Sequence, residues 1–113
     1  MSWDCNVYTT PEKFRAEIVG GIEWTEPCYS FDTTIVLKDD MGRFYIASDS
    51  GCSCPSPFEG FDSLAACTGP LTAHEVQPEL LKEQADHSYL SDQDTASAGM
   101  QMANVMAKVM GAA

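Results

Sequence analysis

Cations are scarce in this chain. Of its 113 residues, 6 are Lys or Arg against 17 Asp or Glu, a formal net charge of −11. The deficit is even along the sequence. Residues 1–60 hold 10 acids and 4 bases, and residues 61–113 hold 7 acids and 2 bases. The negative field therefore belongs to the whole surface and not to an acidic tail. A field of that sign repels phosphate backbones and anionic lipid headgroups, which argues against direct nucleic-acid binding through a basic patch. It suits solubility, or docking on a basic surface of another protein. Long apolar runs are also missing. No stretch approaches the ~20 apolar residues of a membrane span. Residues 1–20 include Asp4, Glu12 and Glu17 and no apolar segment of the kind a signal peptide needs. The expectation is a soluble cytoplasmic chain with no membrane attachment. In a reducing compartment its five cysteines, an odd number, are thiols and not a disulfide framework.

What is present is ordinary globular material. Hydrophobic residues make up 44% and charged residues 20%, enough for one domain that buries roughly 65% of its unfolded surface. Thr10-Pro11-Glu12 reads as a helix start, with a short helical turn over 11–15 anchored by Phe14. From Glu17 to Trp24 the period is two, with Ile18, Gly20, Ile22 and Trp24 on one face, and Gly20-Gly21 hints at a bulge. A second strand runs from Tyr29 to Lys38, with Phe31, Thr33, Ile35 and Leu37 on the inner face. Asp39-Asp40-Met41-Gly42 is a hairpin turn with Gly42 in the left-handed position. The third strand is Arg43 to Ser48, with Phe44 and Ile46 inward and Tyr45 outward. Asp62 or Ser63 caps a short turn through Leu64 and Cys67, and Thr68-Gly69-Pro70 ends it. Thr72-Ala73-His74-Glu75 fits a capping box, but Pro78 is the better start for a helix to about residue 87. Its apolar stripe would be Leu81 and Ala85, with Lys82 and Asp86 paired on the solvated side. Asp92 opens a last helix rich in Ala and Met.

These elements predict an α+β fold: a three-stranded antiparallel meander packed against C-terminal helices. Residues 1–91 form the α+β domain. Residues 92–113 are part of the same domain or a partner-binding extension of it.

The least ordinary segment is Asp49-Ser50-Gly51-Cys52-Ser53-Cys54-Pro55-Ser56-Pro57-Phe58-Glu59. Gly51 permits positive φ, while Pro55 and Pro57 fix their own φ and extend the residues before them. A loop so stiffened holds side chains in place at low entropic cost, and Asp49, Ser50, Cys52, Cys54, Phe58 and Glu59 make it the candidate binding loop. Together with Pro11-Glu12-Lys13-Phe14 and Ser30-Phe31-Asp32-Thr33, it resembles a family of small, functionally uncharacterised proteins encoded by phages of mycobacteria and related actinobacteria. The resemblance covers roughly residues 11–63. It carries no activity. It implies a phage accessory product that works in the host cytoplasm.

Three kinds of chemistry are open to these residues. Cys28, Cys52, Cys54 and Cys67 could hold zinc, with His74 as a substitute, although one residue between Cys52 and Cys54 is fewer than paired zinc cysteines use. The plainer reading is small thiols packed in a tight loop, with no cofactor. Cys52 as a nucleophile would need His74 or His87 as its base, and Asp32, Asp49 and Glu59 could pair as catalytic carboxylates. No family-specific cysteine signature surrounds these residues, and accidental proximity is expected among 17 acids. In the last helix, Met100, Met102, Met106 and Met110 are core residues, or an adaptable surface for a partner or a second copy. The favoured function is a non-enzymatic phage accessory protein that binds and modulates a host protein, in host takeover or defence inhibition, through its acidic surface. A zinc-stabilised interaction module and a small hydrolase are the alternatives.

Overall fold

The computed structural model describes residue 8 and residues 11–24, 30–52, 64–87 and 90–112. A 3-10 turn at Pro11–Phe14 leads into β1 (Ala16–Glu23), followed by β2 (Ser30–Asp39), β3 (Phe44–Cys52), a 3-10 turn at Leu64–Ala66, β4 (Thr68–Leu71), α1 (Ala73–Asp86) and α2 (Asp92–Ala112). The sheet is antiparallel in the order β1-β2-β3-β4. The fold is α+β, as expected, but the sheet has four strands where three were expected. The extra strand lies where Thr68-Gly69-Pro70 reads as a stop. Proline is compatible with an edge strand. Gly69 has φ +148°, and a Cβ there would stand 2.8 Å from the Phe44 carbonyl oxygen, so only glycine lets β4 approach β3 this closely.

Both faces of the sheet are covered, and this revises the single apolar face expected from the strand patterns. On one side Ile22, Trp24, Val36, Phe44 and Ile46 meet Ala73, Val76 and Leu80 of α1 and Ala98, Met102, Val105 and Val109 of α2. On the other, Ile35, Leu37, Tyr45 and Ala47 are packed by Phe14, Ala16, Leu64 and Cys67. The pairing Val36↔Ile46 and Lys38↔Phe44 puts the expected inner residues of β3 on the opposite side from Ile35 and Leu37. Tyr45, expected to point outward, is buried in the second core. Two apolar faces are legible only once the register is known, because each strand alone alternates equally well either way.

A bulge falls in β1. Ile18 pairs with Leu37 but Gly20 pairs with Val36, so Val19 is the extra residue. Beyond it the alternation reverses, which takes Ile18 off the main face and leaves it exposed while Val19 packs against the main core. Gly20 then has a packing role. A Cβ there would come within 3.0 Å of Val105 Cγ2, so the missing side chain lets α2 lie directly on β1. Gln101 finishes the contact. Its Oε1 accepts from the Glu23 N–H at 2.8 Å and its Nε2 donates to the Glu23 carbonyl at 3.0 Å. This occupies the last outward rung of an edge strand that would otherwise be open to pairing.

The helices also differ from expectation. α1 begins at the capping box, with Glu75 N–H donating to the Thr72 carbonyl at 3.0 Å and Thr72 N–H donating to the Glu75 carboxylate at 2.8 Å. Pro78 lies inside the helix, where it removes one backbone hydrogen bond. The cap and the burial of Val76 and Leu80 on either side of Pro78 offset that cost. Leu81 is exposed, so the expected stripe faces solvent. Lys82 pairs with Glu79 at 3.0 Å and not with Asp86. The methionines of α2 divide: Met102 is buried and Met106 packs on the core, while Met100 and Met110 are exposed.

Candidate functional site

Polar side chains from four elements converge on the helix-covered face of the sheet, near the end of β1. Trp24 follows β1 and is 0% exposed. Asp32 and Thr34 come from β2, Ser48 from β3, Glu83 from α1, and His87 from the residue that caps it. The register sets Thr34 opposite Ser48, so short hydroxyl side chains meet at the N–H edge of the indole. Trp24 Nε1 donates to Thr34 Oγ1 at 2.8 Å, and Thr34 Oγ1 lies 2.7 Å from Ser48 Oγ. Ser48 Oγ in turn donates to Glu83 Oε1. Since the Ser48 proton goes to Glu83, the Thr34 proton must go to Ser48. The protons run in one direction, Trp24 to Thr34 to Ser48 to Glu83, and each hydroxyl both accepts and donates.

His87 closes the cluster. Its ring stacks on Trp24 with centroids 4.3 Å apart and planes 13° from parallel. Nδ1 is 2.6 Å from the Glu83 carbonyl oxygen, and Nε2 is 3.0 Å from the Asp32 carboxylate. Both ring nitrogens face oxygens that can only accept, which a doubly protonated ring satisfies and a neutral one cannot. Burial pushes the imidazole pKa down. The Glu83 carbonyl and the Asp32 carboxylate outweigh burial and hold it above the ordinary 6.5. The indole face adds a cation–π contact.

The pH consequence has a definite sign. A raised folded-state value means that this contribution to stability is complete below 6.5 and is lost as pH rises through the folded value. We expect the urea midpoint to fall between about pH 5.5 and about pH 8.5, and the fall to be smaller in His87→Gln. An equal slope in the two proteins would show that the ring is not charged in the native state.

The described residues of the hydrolase reading are placed as follows. His87 has no ring nitrogen left to accept a proton from a nucleophile. His74, at the other end of α1, is about 20 Å away at 1.5 Å per helical residue. Asp32 and Asp49 do not pair as acid and base. Asp32 is opposite Ser50 and Thr33 is opposite Asp49, so the two acids project from opposite faces. Asp49 accepts from the Ser50 N–H at 3.0 Å, a local backbone contact. Glu59 lies outside the described residues.

The first four residues of the candidate loop are strand. Asp49, Ser50, Gly51 and Cys52 are the last rungs of β3, paired in turn with Thr33, Asp32, Phe31 and Ser30. Ser53, Cys54, Pro55, Pro57, Phe58 and Glu59 lie outside the described residues, as does Cys28. Of the zinc candidates, Cys67 packs in the second core, where burial pushes its thiol up to about 11. Thr68 pairs with Ile46, so Cys67 is level with a point five or six rungs from Cys52. At 3.3 Å per rung, that separates the two backbone positions by about 16–20 Å along the sheet. Among the described residues, no group of three His, Cys, Asp or Glu is placed to hold a metal. No helix among them is long and apolar enough to cross a membrane.

The polar cluster itself was not anticipated. Its only sequence signals are Trp24 at the end of an apolar face and hydroxyl residues in facing strands. The link from Asp32 to His87 spans 55 residues and leaves no local pattern. Among known proteins, no curated protein and no solved structure matches this chain. The model of one family, a domain of unknown function (DUF7574), matches residues 5–111, and the chain belongs to that family.

Proposed function

We propose that this DUF7574 chain is a non-enzymatic phage accessory protein that binds and modulates a host protein by docking its acidic surface on a basic one. The observation that carries the reading is the net charge of −11. Its acids are exposed on every layer of the fold: Glu17 and Glu23 on β1, Asp40 in the hairpin turn, Glu75 and Asp86 on α1, and Asp92 on α2. Two of the six cations are also held by carboxylates of this chain, Arg43 by Asp39 and Lys82 by Glu79. The main polar cluster favours the same reading. Its imidazole and hydroxyls are each engaged by partners within the cluster, which suits a rigid scaffold better than a reaction centre. The phage setting rests on the resemblance of residues 11–63.

Capture from a mycobacterial lysate at two salt concentrations tests the proposal. A specific partner should be retained near 0.1 M salt and released near 1 M, where the Debye length falls from about 10 Å to about 3 Å. Charge-reversal of exposed acids, such as Glu17→Lys with Glu23→Lys, should weaken capture. Capture unaffected by salt, or the same proteins on an unrelated domain of equal charge, would remove the proposal.

A further inference from the structure

One face of α2 is not accounted for by the core or by the acidic surface. Its buried row is Ala98, Met102, Val105 and Val109, at spacings of four, three and four. On the opposite side Gln93, Ala96, Met100, Ala103, Ala107 and Met110 are all exposed, at spacings of three, four, three, four and three. That is an unbroken heptad seam of the kind that packs against another helix. Met100 is 71% exposed and Met110 50%, so its two largest apolar side chains stand in water.

We infer that this seam is covered by the same seam of a second copy, the two α2 helices running antiparallel. Charge selects the occupant. The seam carries no ionisable side chain, and after Asp94 the whole helix has only Lys108. A basic partner would find nothing to pair with here. A second copy of this highly negative chain can approach along this face without opposing carboxylates. Size selects the direction. In the antiparallel register that sets Met100 against Ala103 of the second copy, Ala96 falls against Ala107 and Gln93 against Met110. Each central methionine then meets an alanine, and the two-fold axis repeats the layer. A parallel pair would set Met100 against Met100 and Ala103 against Ala103, an overfilled layer beside an underfilled one. Antiparallel pairing also keeps the acidic N-terminal turns, with Asp92 and Asp94, at opposite ends. It brings Lys108 level with Thr95 of the second copy, one residue from Asp94, and opposes the helix dipoles favourably.

Two helices of 21 residues make an interface at the small end of stable ones, so the dimer should dissociate with a Kd of about 1–100 μM. Sedimentation velocity of the full chain, from about 5 to about 200 μM, should show a shift from monomer to dimer. Met100→Glu should weaken the dimer by about tenfold or more by placing a carboxylate in the seam, with the circular dichroism spectrum and urea midpoint unchanged because Met100 is outside the core. Ala103→Lys should weaken it likewise. Mixing the Met100→Glu and Ala103→Lys chains should restore association, since antiparallel packing sets those two positions face to face. A wild-type chain that stays monomeric throughout overturns the inference, as does a dimer insensitive to both substitutions. Association unrestored by mixing overturns the antiparallel arrangement. A chain that is monomeric alone, but whose Met100 is protected once a lysate protein binds, assigns the seam to that protein instead.

Discussion

Trp24→Ala is expected to cost about 4 kcal/mol of folding stability, the size of loss seen when a fully buried large aromatic is truncated. Three separate contributions disappear together. The indole is 0% exposed and sits among Ile22, Val36 and the helix residues of the main core, so its removal leaves a cavity that the sheet cannot collapse to fill. Its Nε1–H is the first donor of the Trp24–Thr34–Ser48–Glu83 chain. Its ring is the surface on which His87 stacks. Trp24→Phe keeps most of the volume and loses the donor, so about 1–2 kcal/mol is expected there. Urea unfolding of both variants checks the pair. A Trp24→Ala loss below about 1 kcal/mol would mean that the indole is not at the centre of the core. Folded domains have only about 5–15 kcal/mol in hand, so Trp24→Ala should also sharply lower the soluble yield.

The second large effect is at the β2–β3 turn. Asp39 is 6% exposed, and its carboxylate is fully engaged. Oδ1 accepts from Met41 N–H and Arg43 N–H, each at 2.9 Å, and Oδ2 accepts from Arg43 Nε at 2.9 Å and Tyr45 Oη at 3.0 Å. The side chain closes the turn from within, and Gly42, with φ +81°, supplies the left-handed step. Asp39→Ala strands two backbone donors and a buried phenol, for an expected loss of about 3 kcal/mol. Asp39→Asn keeps acceptor capacity at one atom only and should fall in between.

The pH dependence gives this prediction a second readout. Burial pushes the Asp39 carboxyl up, but the donors from Arg43, Tyr45 and Met41 together outweigh it and hold the group below its ordinary 3.8. A lowered folded-state value means that the stabilisation is complete above 3.8 and is lost as pH falls through the folded value. The stability gap between the native chain and Asp39→Asn should therefore be constant at neutral pH and close in acid. A gap that persists unchanged to about pH 2 would show that the carboxylate charge does not contribute. His87 has the opposite slope on the alkaline side, so the two groups together predict maximal stability in the mildly acidic range.

The hairpin was readable in the sequence because its chemistry is local. Asp39-Asp40-Met41-Gly42 contains both the residue that closes the turn and the one that makes the left-handed step. The start of α2 at Asp92 and the bulge in β1 were legible for the same reason. Other features depended on partners distant in the chain. The Thr72–Glu75 capping box was visible, yet Pro78 argued for a later helix start. Burial of Val76 and Leu80 against the sheet decided between them. β4 was hidden because Thr68-Gly69-Pro70 is turn chemistry in isolation and becomes strand only beside Phe44.

The sequence by itself determined the α+β class, the net negative charge and the β2–β3 turn, because composition and three- or four-residue patterns act without knowledge of the register. Only the tertiary structure decided that both sheet faces are buried, that Asp49–Cys52 is strand, and that the His87 ring stacked on Trp24 meets Asp32. Each of these depends on strand register or on a helix crossing the sheet. A one-residue slip in register would exchange every side chain between the two faces.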